Sequence, residues 1–408
     1  MQTQKNESAD KRIRLLFLCE AVTLAHVARP LSLALALDPS RFDVHVACDD
    51  RYGFLFKDAA LSKHPMVSIP SAQFLRALAK GSPLYDAGTL RAYVEADLEL
   101  IEKIRPDVVV GDFRLSLAVS APVARVPYAT ITNAYWSPFA APRYTVPDLP
   151  FTRVLGTGLG QVLFDTVRPL AFALHTRPLN RVRREHGLKD LGFNLGETYT
   201  HADLTLYADI PELIPTIGLP ANHRYIGAIA WQPDVPLPDW WDRVPADKPV
   251  LYVTLGSSGQ ADLLAGVLER LASLPVTVMA ATAGRVDLRE APKNAFVADY
   301  LPGNDAARRA DLVICNGGSP TTTQALQAGV PVIGISSNLD QYLNMSFMEQ
   351  RGVGVTLRGG RRPPATLTKT VEHILSEEDF RTQAMKAKAQ LETYQPTRIF
   401  PELVATLL

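Results

Sequence analysis

The sequence predicts an α/β chain made of two Rossmann-like domains, each a parallel sheet covered by helices. Short apolar runs alternate with amphipathic stretches along nearly the whole chain, which is the pattern of βαβ units. It breaks once, at WQPDVPLPDWWDRVPADKP (residues 231–249), where five prolines in nineteen residues rule out a helix interior or a central strand. It then restarts. Ligands of such sheets bind beyond the carboxyl ends of the strands, so two sheets joined by a linker predict a cleft with a loop-built site on each wall.

The expected division is a first domain over 1–230, a linker over 231–249, a second domain over 250–390 and a terminal helix over 391–408 that packs back on the first domain. In the first half, strands are expected at 13–19, 42–47, 108–111, 128–132 and 204–207, with helices such as 27–37 and 90–104 between them. In the second half, strands are expected at 250–254, 276–280, 295–297, 312–315, 332–335 and 354–356. Helices are expected near 262–272, 321–328, 342–350, 367–376 and 379–391. The segment 151–188 is apolar with interspersed arginines. It reads as a helix pair that covers a sheet face with its arginines in water, and less readily as a basic amphipathic element that touches a membrane.

The chain has 408 residues, 47% of them apolar, and a formal net charge of zero. Large cores can form, and nothing global points to nucleic acid or an anionic surface. Cys19, Cys48 and Cys315 lack the spacing of a metal site or a disulfide framework. The polar N-terminus has no apolar signal core, and no apolar run reaches the ~18 residues of a membrane span. A cytoplasmic protein is expected.

Residues 315–345 are the most informative stretch. A buried strand enters the turn Asn316-Gly317-Gly318, and the hydroxyls of Ser319, Thr321, Thr322 and Thr323 open a helix. A glycine turn before a helix N-terminus offers backbone N–H groups and a positive dipole end to a phosphate. One βα unit later, Asp340 and Gln341 suit the hydroxyls of a sugar. A diphosphate beside a sugar is a nucleotide sugar. A second turn, Gly256-Ser257-Ser258-Gly259, follows the first strand of the same half and suits phosphate weakly by itself. Tyr300, shortly after the strand expected at 295–297, is placed to stack on a base, or to cover the core.

In the first half, His26 sits just past a strand, and Asp112 follows the strand VVVG. Two strand ends of one sheet can bring an imidazole to a carboxylate, as general-base catalysis requires. A histidine that only caps or packs a helix also fits this position. Tyr135, Trp136 and Phe139 either line an apolar pocket or belong to the core.

These motifs resemble the family 1 (UDP-glycosyltransferase-like) glycosyltransferases of the GT-B fold, of the bacterial natural-product type. The similarity spans nearly the whole chain and is strongest over 250–357, where ALQAGVPVIG and DQYLN carry it. It implies an inverting enzyme that moves a hexose from a UDP or dTDP sugar to a hydroxyl of a small lipophilic acceptor. No cofactor is implied; with no Asp-x-Asp motif, no metal is expected. By position, Asn316, Gly318, Thr321 and Thr322 would cradle the diphosphate, Gln324 would hold the ribose, and Tyr300 with the Leu301 backbone would read the base. Asp340 and Gln341 would bind the transferred sugar, and His26 with Asp112 would be base and partner. Departures from the family pattern are Asn316 for histidine, Pro320 for glycine, Gln324 for glutamate, Ala25 for glycine, and Gly303 where plant relatives have glutamine. Two rivals share the fold: a nucleotide-sugar 2-epimerase, and a degenerate binder or activator without catalysis.

Overall fold

The computed structural model describes residues 12–56, 61–229, 231–232, 234–256, 260–286, 288 and 291–408. The first sheet is formed by β1 (Ile13–Cys19), β2 (Phe42–Cys48), β3 (Ser62–Pro65), β4 (Val108–Asp112), β5 (Tyr128–Thr132), β6 (Leu204–Tyr207) and β7 (His223–Tyr225). They pair in parallel in the order 3-2-1-4-5-6-7. The second sheet is formed by β8 (Val250–Thr254), β9 (Thr277–Ala281), β10 (Ala295–Ala298), β11 (Leu312–Cys315), β12 (Val332–Ser336) and β13 (Gly354–Arg358). These are also parallel, in the order 10-9-8-11-12-13.

The α/β class and the parallel sheets follow the sequence pattern because the central strands are apolar on both faces. The short edge strands β3 and β7 were not anticipated. Their sequences, SKHP and HRY, are too polar to stand out, which is how edges are protected from further pairing.

Helices of the first half are α1 (Ala25–Leu35), α2 (Ser71–Lys80), α3 (Ala87–Ile104), α4 (Leu117–Ala124), α5 (Pro150–Glu185) and α6 (Leu195–Thr200). Those of the second are α7 (Leu264–Leu271), α8 (Gly303–Arg309), α9 (Ser319–Ala328), α10 (Leu339–Gln350), α11 (Leu367–Ser376), α12 (Glu378–Glu392) and α13 (Pro396–Ala405). Helix α9 starts two residues before its first expected position, because Pro320 is at home in a first turn. Helix α13 returns to the first sheet, where Phe400 packs on Phe17 with ring centroids 5.8 Å apart.

The segment 151–188 is, as expected, two helices, which meet at a kink at Gly156 (φ 72°) and are of very unequal length, 150–155 and 157–185; together they are α5. What departs from expectation is its burial. Leu179 and Val182 are buried against the first domain, whereas much of the apolar surface is left open to solvent. Nor are all its arginines solvated: Arg183 is buried and donates to the carbonyls of Ala118 and Lys189.

In both sheets the strand order reverses next to the first strand, between β1 and β4 and between β8 and β11. Loops at such a switch point diverge to opposite faces and leave a crevice at the carboxyl edge. The two crevices open into one cavity, and the segments that carry the expected chemistry are those that line it.

Candidate active site

The cavity has a volume of about 940 Å³ and takes its walls from both sheets. On the first wall, β1 and β4 are in register so that Cys19 pairs with Asp112. Both strands therefore end at one level, and helix α1 begins beside them. His26, in its first turn, places Nδ1 2.7 Å from Asp112 Oδ1. A carboxylate at Nδ1 fixes the proton on that nitrogen and leaves the acceptor lone pair on Nε2. The imidazole also stacks on Phe113, with centroids 4.9 Å apart.

Asp112 is fully buried and has a second partner. Arg29 donates from Nε to Asp112 Oδ2 and from Nη2 to Oδ1, both at 2.8 Å. Burial works against the charge of this guanidinium, but Asp112 more than offsets it and holds its pKa above the ordinary value. The third fork nitrogen, Nη1, donates to Asn133 Oδ1 at 2.7 Å. Asn133 Nδ2 in turn donates to Asp209 Oδ2 of the same wall (3.2 Å) and across the cleft to Ser319 Oγ (3.0 Å). Arg29, Asn133 and Asp209 were not identified from sequence. A signal existed for Arg29, since in HVAR it lies three residues after His26, on the same helix face. Asn133 and Asp209 also lie at strand ends, but nothing in their surroundings distinguishes them.

On the second wall, β11 delivers Asn316 and the glycine turn. Gly317 has φ 79°, and a Cβ there would come within 2.5 Å of Ser336 Oγ and 2.7 Å of Met345 Cγ. Asn316 Oδ1 accepts the Gly318 N–H at 3.0 Å and so tightens the turn. Asn316, Gly318, Ser319 and Thr321 line the cavity. Ser319 and Thr321 also carry first-turn N–H groups, which have no acceptor within a helix.

Thr322 is different from the expectation. It is buried, and its hydroxyl bonds the carbonyls of Gly318 and Ser319 and the Asn344 amide. It shapes the helix start from inside and does not reach the cavity. Gly317 is likewise behind the wall, while Thr323 lines it. Gly256 lines the cavity beside Asn316; Ser257 and Ser258 lie outside the described residues.

Asp340 reaches the cavity and accepts a 2.8 Å bond from the Trp136 indole of the opposite wall. Gln341 does not line it. Its Oε1 accepts the Asn338 N–H (3.3 Å) in the capping box of α10 and the Ser337 N–H (2.9 Å) beside it, and its side chain is buried. A residue at the third position of a helix is drawn into capping when the N-cap is an Asn. Tyr300 lies half-exposed at the cavity edge and the Leu301 side chain is buried beneath it. Gln324 also lines the cavity and donates to the Trp231 carbonyl at 2.8 Å. A Cβ on Gly303 would meet Gln324 Oε1 at 2.6 Å, so the glycine makes room for this glutamine. Arg285, which was not anticipated, lines the cavity close to the Gly256 turn.

Of the aromatic trio, Tyr135 and Trp136 line the cavity, whereas Phe139 points away and stacks edge-on with His223. The apolar part of the first wall comes instead from Phe74, Leu78, Phe113, Phe164, Phe172 and Tyr199.

Asp209 supplies a pH test. Burial pushes its carboxyl up to about 6 from 3.8, against the opposing bonds from Ala134 and Asn133. The folded state thus keeps a proton that the unfolded chain gives up. The stabilisation is complete below the unfolded pKa and disappears as pH rises through the folded value. The Tm of the wild type is expected to fall between about pH 4 and 6 relative to that of D209N. Parallel Tm profiles across that range would contradict the assignment.

Comparison with known proteins gives a consistent picture. Residues 265–406 match the family described as Erythromycin biosynthesis protein CIII-like, C-terminal domain. The chain is 53% identical over 380 residues to the PGL/p-HBAD biosynthesis glycosyltransferase of Mycobacterium tuberculosis, covering 93% of this chain and 89% of that protein. It is 53% identical over 378 residues to the PGL/p-HBAD biosynthesis rhamnosyltransferase of Mycobacterium bovis, covering 93% and 84%. Among solved structures, Spinosyn Rhamnosyltransferase SpnG complexed with thymidine diphosphate superposes with a TM-score of 0.66 at 20% identity, over 96% of this chain and all of that one.

Proposed function

Because the chain belongs to the family of natural-product glycosyltransferases that includes the mycobacterial PGL/p-HBAD biosynthesis enzymes, we propose that it moves a deoxyhexose from a dTDP donor to a hydroxyl of a lipophilic acceptor. That it is a glycosyltransferase of the GT-B fold, transferring a hexosyl group, follows from the relatives and the two facing parallel sheets. Neither the 2-epimerase nor the non-catalytic reading is favoured beside relatives named for transfer over 93% of the chain.

The observation that carries the proposal is the His26–Asp112 pair, which faces the α9 N-terminus across one cavity. In this reading the acceptor lies among the aromatic side chains of the first wall, and His26 Nε2 takes its hydroxyl proton. The acceptor oxygen forms a bond to the anomeric carbon as the bond to the diphosphate oxygen breaks. The diphosphate leaves from the opposite face, and the configuration inverts. The N–H groups of Ser319 and Thr321 and the helix dipole meet the charge that develops on the leaving group. Asp340 holds the sugar, and Arg285 stands by the Gly256 turn, where it bonds the Gly256 carbonyl at 3.5 Å. A neutral Asn316 gives a hydrogen bond about half as strong as a charged donor would.

The thymidine nucleotide and the deoxyhexose are supported by the rhamnosyltransferase relative and by the dTDP-bound neighbour. A lipophilic acceptor is supported by the apolar lining and by the solved complex of SpnG with spinosyn aglycone. Thermal shift with dTDP, UDP and GDP tests the donor. Occupancy of the folded state at 100 times Kd is worth about 2.7 kcal/mol, so dTDP is expected to raise Tm by several degrees more than UDP or GDP. A larger shift with UDP would sink the thymidine assignment.

A further inference from the structure

Helix α5 has two working faces. Phe164, Arg168, Phe172 and His175 line the acceptor half of the cavity. About half a turn away, Leu159, Val162, Leu163, Leu170 and Leu174 lie on one helix stripe, with Thr166 between Leu163 and Leu170. All five are exposed, with Leu159 at 67%, Val162 at 66% and Leu170 at 59%. The fifteen steps from Leu159 to Leu174 span about 22 Å. An apolar stripe of that length, broken by Thr166, is unusual on a surface meant for water alone.

Past Leu174 the same stripe continues as Arg177, Arg181 and Arg184, all exposed. Residues 150–190 contain seven Lys and Arg against three Asp and Glu. The carboxylate within the apolar stretch, Asp165, lies off the stripe, bonded to Gln161 and Arg168. Glu185 is held by Arg91 and Arg181, and Asp190 by Arg184.

From this we propose that the outer face of α5, the helix whose other face lines the acceptor cavity, is a docking surface for a lipid bilayer with anionic headgroups. An apolar stripe that runs into a basic row is the pattern of a helix lying in the membrane interface. Its leucines enter the acyl boundary by about 5–10 Å and its arginines meet headgroup phosphates. The helix lies on the membrane and does not cross it, since no helix among the described residues is long and apolar enough to span. A second copy fits the face less well. A two-fold pair sets the arginine rows against each other or lays each over the partner's leucines, and neither arrangement supplies counter-charge. The opposite face of the same helix lines the acceptor cavity, so docking would hold the cleft within about one helix diameter, ~10 Å, of the bilayer. The surface reaches beyond the transfer reaction and stands on the exposed helix face.

Vesicle flotation of the full chain tests it. The protein is expected to float with phosphatidylcholine vesicles containing phosphatidylglycerol, and weakly with phosphatidylcholine alone or in high salt. V162E combined with L170E is expected to abolish flotation while Tm and the dTDP-induced shift are retained. Neutralisation by R177Q is expected to weaken partitioning about fivefold, only where phosphatidylglycerol is present. Three results would overturn the proposal: no flotation of the wild type with either vesicle, full flotation of the double glutamate variant, or a wild-type dimer that this variant splits. Because flotation reads partitioning, its failure would leave the glycosyl-transfer reading untouched, and a failed dTDP shift would leave this one untouched.

Discussion

His26→Ala is expected to lower the rate of glycosyl transfer by about 10²- to 10⁴-fold, the usual contribution of a positioned general base. Donor binding should survive, because His26 stands on the first wall and the nucleotide elements on the second. The separation is measurable, with turnover of a dTDP-sugar in one assay and the dTDP-induced thermal shift in the other. The fold should tolerate the change, since the side chain of His26 is partly exposed and Asp112 retains Arg29. An alanine variant with near-full turnover would remove His26 from the chemistry and leave Asp112 as a structural carboxylate.

The second large effect is expected at Arg29. Asp112 is fully buried and Arg29 bonds both of its oxygens. Arg29→Met removes the guanidinium from that carboxylate and leaves it the imidazole. Removing one member of a buried pair typically costs about 3–5 kcal/mol. Urea denaturation should show that loss, and kcat should fall even at temperatures where the variant is folded, because Asp112 is then free to turn away from Nδ1. Arg29→Lys separates the two consequences. It restores the charge but not the planar fork, so stability should recover more than kcat. A methionine variant with wild-type kcat would make Arg29 a structural residue only.

The two predictions together show why the base site was half-legible. His26 and Asp112 each follow an apolar strand, and strand ends can be found from periodicity alone. Register decides whether two such ends meet, and β1 and β4 pair so that they do. Arg29 carried a helical-spacing signal, but an arginine on a helix is usually solvated, and only the packing of α1 turns this one onto a buried carboxylate. The donor loop was legible for the opposite reason. A glycine turn before a helix is local geometry, and most of it is written in consecutive residues. What the local pattern missed was direction: Thr322 and Gln341 point inward, to bond the backbone that shapes the loops. A helix turn of 3.6 residues places one hydroxyl of Ser-Pro-Thr-Thr-Thr against the core and its neighbours towards the cleft.

The sequence by itself determined the α/β class, the two sheets, the proline-rich join and the strand ends where chemistry sits. These depend on hydrophobic period and on glycine and proline, which act over a few residues. The tertiary structure decided which strand ends face one another. It also decided that Arg29, Asn133 and Ser319 form one chain of bonds across the cleft, and that the leucines of α5 remain uncovered. A helix facing a core and a helix facing a lipid surface carry the same apolar stripe, because burial is a property of what lies opposite. That partner is set by contacts far apart in the chain, so it cannot be read from the stripe itself.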